Sequence, residues 1–273
     1  MRLDRGITSV IIGIAITFGQ PEIAVTLTAQ DVSNIAKQIT VVISGPKLGS
    51  GVIIHQQGDT YSVLTNGHVV DEAGTYTVQT RDRSTYEVKS NLVQRLPGVD
   101  LAVLKFTSSK KYNIATIGNS DAATEGTTVY VSGAPEPVQG IEARTVLVLR
   151  GEIVGTNSQP QEGYVLIYNN NTHRGMSGGP VLDENGHLIG IHGRGARDND
   201  GQKVGFNLGI PIKIFTASKT GSNLGVTTQN PPITQVPPKS FTDPSSSVPL
   251  IGRPRTIDGS EGTAGFGCPG RRC

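Results

Sequence analysis

Three short strings in this chain carry side chains that could do covalent chemistry together. Arg174-Gly175-Met176-Ser177-Gly178-Gly179-Pro180 sets a serine among glycines, where backbone N–H groups can converge on a developing oxyanion. A serine hydroxyl is a weak nucleophile near neutral pH, so it needs a base within hydrogen-bond reach and a third group to orient that base. His68, in Leu64-Thr65-Asn66-Gly67-His68-Val69-Val70, follows an apolar run and is the candidate base. Asp100, in Gly98-Val99-Asp100-Leu101-Ala102-Val103-Leu104-Lys105, opens another apolar run and is the candidate orienting carboxylate. His55 and His187 sit beside turns, and His173 precedes the serine too closely to reach back to its hydroxyl. Asp71, three residues after His68, is a rival to Asp100, but it leads into Glu72-Ala73-Gly74 and reads as an exposed turn. Burial favours Asp100, because the carboxylate must hold the imidazole tautomer without being solvated away. An esterase elbow, Gly-x-Ser-x-Gly, fits Gly175 to Gly179 locally, yet that class runs Ser, Asp, His, and here the order is His, Asp, Ser.

Residues so far apart in sequence must be brought together by the fold. The chain has 35 glycines and no tryptophan among 273 residues, a composition suited to many short strands and tight turns. Apolar, β-branched runs at 39–44, 51–55, 61–65, 75–80, 85–94 and 100–106 make a first set of about six strands. A polar stretch over 107–127 follows, and runs at 129–132, 145–154, 164–168, 180–183, 187–192 and 203–207 make a second set. A short helix is expected over 31–38, with Asp31 as its N-cap and Val32, Ile35 and Ala36 on one face, and another over 212–218. His68 and Asp100 then belong to the first set and Ser177 to the second.

Taken together, the three strings resemble the chymotrypsin-like serine proteases, in particular the bacterial trypsin-like and HtrA-like branches, from about residue 40 to 214. The resemblance implies an all-β fold of two six-stranded antiparallel β-barrels with the active site in the cleft between them. It implies a secreted serine endopeptidase that cuts protein or peptide substrates through an acyl-enzyme, with His68, Asp100 and Ser177 catalytic and the N–H groups of Gly175 and Ser177 as the oxyanion hole. The competing class is a catalytically silent relative serving as a binding or scaffold module, against which the intact triad counts. Met176 stands where the digestive enzymes place an aspartate that pairs with a freshly cut N-terminus, so activity is expected without that style of activation. The primary pocket is expected from residues just before Ser177 and from the strand after it, namely Asn171, Thr172, His192, Gly193 and Gly195. Asn171 occupies the position where trypsin-like enzymes carry the aspartate that selects Lys or Arg. Thr172 and His192 have the spacing seen in glutamyl endopeptidases, where a hydroxyl and an imidazole N–H can donate to a substrate carboxylate, with Arg174 and Arg194 adding positive potential. The alternative is that His192 is a packed strand histidine and Thr172 an ordinary loop residue.

The ends of the chain read differently from its middle. Met1-Arg2-Leu3-Asp4-Arg5 and the apolar stretch over 6–18 form a secretory signal or an uncleaved N-terminal anchor, within a leader of 1–29. A secreted or periplasmic location follows, with no stable membrane partner after leader removal. The protease-like domain is assigned to 30–218, and the Pro-, Ser-, Thr- and Gly-rich stretch 219–273 to a disordered tail. Cys268 and Cys273 both lie in that tail, so a disulfide between them would staple no core element. Net charge is +2, with acidic and basic side chains balanced over 30–219, which argues against a nucleic-acid surface. No metal-ligand spacing or phosphate loop appears, so no cofactor and no metal are expected.

Overall fold

The computed structural model describes residues 27–228; the leader up to residue 26, the tail from 229, Cys268 and Cys273 lie outside the described residues. The helix expected over 31–38 starts earlier, as α1 (Ala29–Ile39), because Thr28 and not Asp31 is its N-cap. Thr28 and Asp31 form a reciprocal capping box, worth about 1 kcal/mol to a helix end. Thr28 and Ala29, placed by sequence at the end of the leader, are thus part of the folded unit, and Leu27 packs against its core. Val32, Ala36 and Ile39 recur at helical spacing and are all buried.

Seven strands follow: β1 (Thr40–Ser44), β2 (Gly49–Gln57), β3 (Thr60–Thr65), β4 (Thr75–Gln79), β5 (Thr85–Lys89), β6 (Gln94–Arg95) and β7 (Ala102–Thr107). They form one sheet in the order β5-β4-β1-β2-β3-β7-β6. The expected single strand over 85–94 is broken by a 3-10 turn at Ser90–Leu92, which yields β5 and the two-residue β6. This first unit is therefore a curled half-barrel and not a closed six-stranded barrel. Its curl brings Tyr86 of β5 over Phe106 of β7, with ring centroids 4.5 Å apart.

The second set comprises β8 (Thr128–Gly133), β9 (Leu147–Thr156), β10 (Leu166–Tyr168), β11 (Pro180–Leu182), β12 (Leu188–Arg197) and β13 (Lys203–Pro211). It closes into a barrel in the order β10-β13-β12-β11-β8-β9, with β9 and β10 paired to complete the ring. After β13 come two short helices, α2 (Ile212–Thr216) and α3 (Lys219–Asn223). Order thus continues past 218: Ser218 caps α3, and Val226 is buried in the core. No helix among the described residues is long and apolar enough to cross a membrane.

Two-sided burial makes one body of the two sheets. On β2, Ile53 faces the core of the half-barrel, while its neighbours Val52 and Ile54 face a second cluster shared with Leu182, Leu188 and Ile191 of the closed barrel. On β3, Val63 and Leu64 divide the same way. Strands buried on both faces read as continuous apolar runs without alternation, as Val52-Ile53-Ile54 does. The shared cluster fixes the separation of the sheets and hence of anything mounted on each.

Candidate active site

β3 and β7 are antiparallel, with Thr65 opposite Ala102, so the residues leaving β3 and those entering β7 meet at one end of the sheet. A 3-10 turn, Gly67–Val69, carries His68 there. Asn66 Nδ2 donates to Asp100 O at 2.9 Å and ties that turn to the lead-in of β7. Asp100 then holds His68 twice. Its Oδ1 accepts the His68 backbone N–H at 2.8 Å, and its Oδ2 lies 2.6 Å from His68 Nδ1. A carboxylate only accepts, so Nδ1 carries the hydrogen and Nε2 of the neutral ring presents a lone pair. Asp71, the rival, pairs with Lys47 at 2.8 Å.

Asp100 Oδ2 has a further donor that the sequence reading missed, the hydroxyl of Tyr164. The Arg194 guanidinium lies 4.2 Å from the centroid of the Tyr164 ring and 3.6 Å from Asp100 Oδ2, and it pairs with Glu162 at 2.5 Å. Burial pushes the Asp100 carboxyl up, but the hydrogen bonds from His68 and Tyr164 outweigh it and hold the group down at about 2. Burial, and then the Asp100 charge, raise the Tyr164 phenol well above its ordinary value, so it stays a donor.

Ser177 lies on a turn that the two units clamp between them. Its carbonyl accepts from Ser50 N of β2 at 2.8 Å, Gly178 N donates to His192 O at 2.7 Å, and His192 N donates to Gly179 O at 2.8 Å. The turn needs glycine at two places. Gly175 and Gly178 both have φ of +87°, and a Cβ on Gly178 would lie 2.1 Å from Thr65 Oγ1. Ser50 Oγ donates to Gly175 O at 2.9 Å, and Glu136 N donates to Arg174 O at 2.8 Å. In a trans peptide the N–H points opposite to the carbonyl, so the hold on Arg174 O aims the Gly175 N–H away from Glu136. Among the described residues neither the Gly175 nor the Ser177 N–H has a protein acceptor. Both donors are available to an incoming oxygen.

The serine hydroxyl departs from expectation. Ser177 Oγ donates to Gly193 O at 2.6 Å and not to His68 Nε2. The register between β12 and β13 shifts between His192 and Arg194, and the bulged Gly193 offers its carbonyl to the serine.

His68, Ser177 and Gly175 line a cleft of about 980 Å³, together with Thr172, His192 and Gly195. Asn171 does not line it: with Asn170 and Thr172 buried on either side, its side chain faces solvent. Thr172 Oγ1 donates to Asn207 Oδ1 at 2.5 Å. Asn207 Nδ2 donates to Asn170 O at 2.5 Å and to Tyr168 O at 3.3 Å, which fixes the amide orientation and commits the threonine hydrogen to Asn207. His192 is 2% exposed, with Nδ1 lying 2.6 Å from the Tyr168 hydroxyl. Burial, then Lys203 and His68, push this imidazole down to about 3, so it is neutral at physiological pH. Lys203, also missed, donates from Nζ to Thr172 O and, at 3.2 Å, to Thr172 Oγ1. Burial, and then Arg197, lower its ammonium from the usual lysine value.

A histidine–aspartate pair on one antiparallel β unit, facing a glycine-flanked serine on a second, defines the class of two-unit serine hydrolases. The family model described as a trypsin-like peptidase domain matches residues 49–191, more than half of the chain, and the chain belongs to that family. Over 164 residues it is 32% identical to a probable periplasmic serine endoprotease, DegP-like, of Brucella suis, covering 60% of this chain and 30% of that protein. Over 169 residues it is 31% identical to the protein of the same description in Pseudomonas putida, covering 61% and 33%. The chain thus spans about a third of the length of these curated relatives. Among solved structures it is similar to the HtrA-type protease AlgW with tripeptide, at 26% identity and a TM-score of 0.57, covering 69% of this chain and 61% of that one.

Proposed function

We propose that the protein is a serine endopeptidase in which Ser177 is the nucleophile, His68 the general base and Asp100 the group that orients it. The observation that carries this reading is the double hold of Asp100 on His68, at 2.6 and 2.8 Å, in the same cleft as Ser177. In the reaction the Ser177 hydroxyl leaves Gly193 O, gives its proton to His68 Nε2 and adds to the substrate carbonyl. The new oxyanion is met by the Gly175 and Ser177 N–H groups. His68 then protonates the leaving amine, and water repeats the sequence to release the acyl group.

The cleft favours an acidic residue before the cut: among the described residues Lys47, Arg174, Arg194, Arg197 and Lys203 line it, against Glu136 alone of the acidic residues. Work outside the cytoplasm is supported by the charged and apolar leader of the sequence and by relatives described as periplasmic. The silent-scaffold reading has one observation on its side, the bond from Ser177 to Gly193 O. The test is hydrolysis of an unfolded protein such as casein. The wild type is expected to cut it, and Ser177→Ala to lose at least about 10³-fold in rate. Cutting that survives Ser177→Ala, or a wild type that cuts nothing, contradicts the proposal.

A further inference from the structure

Neither of the two groups expected to receive a substrate carboxylate brings a positive charge to it. Thr172 has given its hydroxyl hydrogen to Asn207, and His192 is neutral, with one ring nitrogen engaged by Tyr168. A cation stands beside them. Lys203 and Asn207, four residues apart on β13, both reach Thr172 Oγ1, and Lys203 sits opposite Arg197 of β12. Lys203 is exposed, yet its stem lies back across Gly195: a Cβ on that glycine would lie 2.8 Å from Lys203 Cε. The ammonium ends at Thr172, donating to the carbonyl and to the hydroxyl oxygen. Among the described residues no carboxylate lies within salt-bridge distance of it. Two of its three hydrogens are taken, and the third has no protein acceptor among the described residues.

We propose that Lys203, laid across Gly195 and anchored on Thr172, is the residue that selects an acidic side chain before the scissile bond. This rests on the endopeptidase reading above. A Glu or Asp carboxylate entering the cleft accepts the free ammonium hydrogen, a charge-assisted bond that Gln or Asn cannot match. Gly195 is glycine for a reason of space, since any side chain there displaces the lysine stem.

The experiment compares kcat/KM for peptides that differ only in Glu or Gln before the cut, each pair measured on one preparation. The ratio is then independent of how much of a variant is folded. The wild type is expected to prefer Glu by about 10- to 100-fold, as one hydrogen bond to a charged group would give. Lys203→Met brings the ratio close to unity, Gly195→Ala lowers it, and Lys203→Glu moves the preference to Lys or Arg. A wild type that cuts both peptides equally, or a Lys203→Met protein that keeps the Glu preference, overturns the assignment to Lys203 and leaves the endopeptidase reading standing. A wild type that cuts neither these nor any other peptide overturns both.

Discussion

Asp100→Asn is expected to lower kcat by about four orders of magnitude with the fold retained, because an amide cannot satisfy both of the histidine's demands at once. At present Oδ1 accepts the His68 backbone N–H, and Oδ2 accepts from Nδ1 and from the Tyr164 hydroxyl. If the asparagine oxygen takes the Oδ2 place, its NH₂ faces the backbone N–H of His68, donor against donor. If the NH₂ takes that place, it donates to Nδ1, moves the ring hydrogen to Nε2 and presents Ser177 with a proton where a base is needed. Steady-state kinetics with circular dichroism as the fold control measure this. Turnover within tenfold of wild type would show that Asp100 does not orient the base. The carboxyl, held at about 2, remains ionised through ordinary acidic conditions, so activity lost on mild acidification does not come from Asp100. Its contribution to stability is of the depressed-carboxylate kind: fully present above the unfolded value near 3.8, and lost as pH falls through about 2. Asp100→Asn therefore removes the part of the acid-unfolding curve that lies in that window.

Arg144→Met is expected to cost roughly 3–5 kcal/mol of stability, because four carbonyl oxygens lose a charged donor at once and each such acceptor left unpaired costs about 1 kcal/mol or more. The half-buried guanidinium donates to Ile43 O at 2.6 Å and Gly49 O at 2.8 Å on the half-barrel, and to Ala134 O at 2.6 Å and Gly175 O at 3.2 Å on the other side of the cleft. Burial lowers its pKa to about 10, against a smaller opposing effect of Glu136, so it is protonated at neutral pH. No carboxylate lies within salt-bridge distance of it among the described residues; carbonyls of both units and of the serine turn share the charge. Methionine fills the space but leaves those carbonyls without a donor. For a domain of this size the cost corresponds to a fall in Tm of roughly 10 °C. Labelling of Ser177 by a fluorophosphonate should slow as well, because Gly175 O loses one of its two holds. Arg144→Lys restores charge but not the planar fork, and recovers only part of either loss. A Tm within 2 °C of wild type, read by calorimetry on about the same protein, would deny Arg144 its role as the tie between the units.

His68, Asp100 and Ser177 were legible because each stands in a local string whose glycines and flanking apolar runs have a mechanical reason: Gly67 lets the turn approach Asp100, and Gly178 has no room for a side chain. Their partners were not, since a partner is set by register. Tyr164 comes to Asp100 across 64 positions, and Lys203 comes to Thr172 across 31. Polar Lys203 and Asn207 alternate in sequence with apolar Val204 and Phe206, but alternation alone does not say which face meets Thr172, and the register shift in this stretch alters it. Asn171 was expected in the pocket from its place six residues before Ser177 in the family resemblance, and the loop after β10 instead leaves it exposed beside the buried Thr172. The break at Ser90–Leu92 was hidden because the run 85–94 has strand-like composition on both sides of it. Arg144 reads as an ordinary surface arginine in Glu142-Ala143-Arg144-Thr145, and only the approach of two separate sheets makes it a tie.

The most direct test of the central claim is to treat the full-length protein with a fluorophosphonate and locate the adduct by peptide mass spectrometry. Attack by Ser177 Oγ displaces fluoride and leaves one phosphonyl group on the peptide containing Ser177, and labelling is expected to fall to background in His68→Ala. A wild-type protein that takes up no label, or takes it up on another serine, would contradict the account.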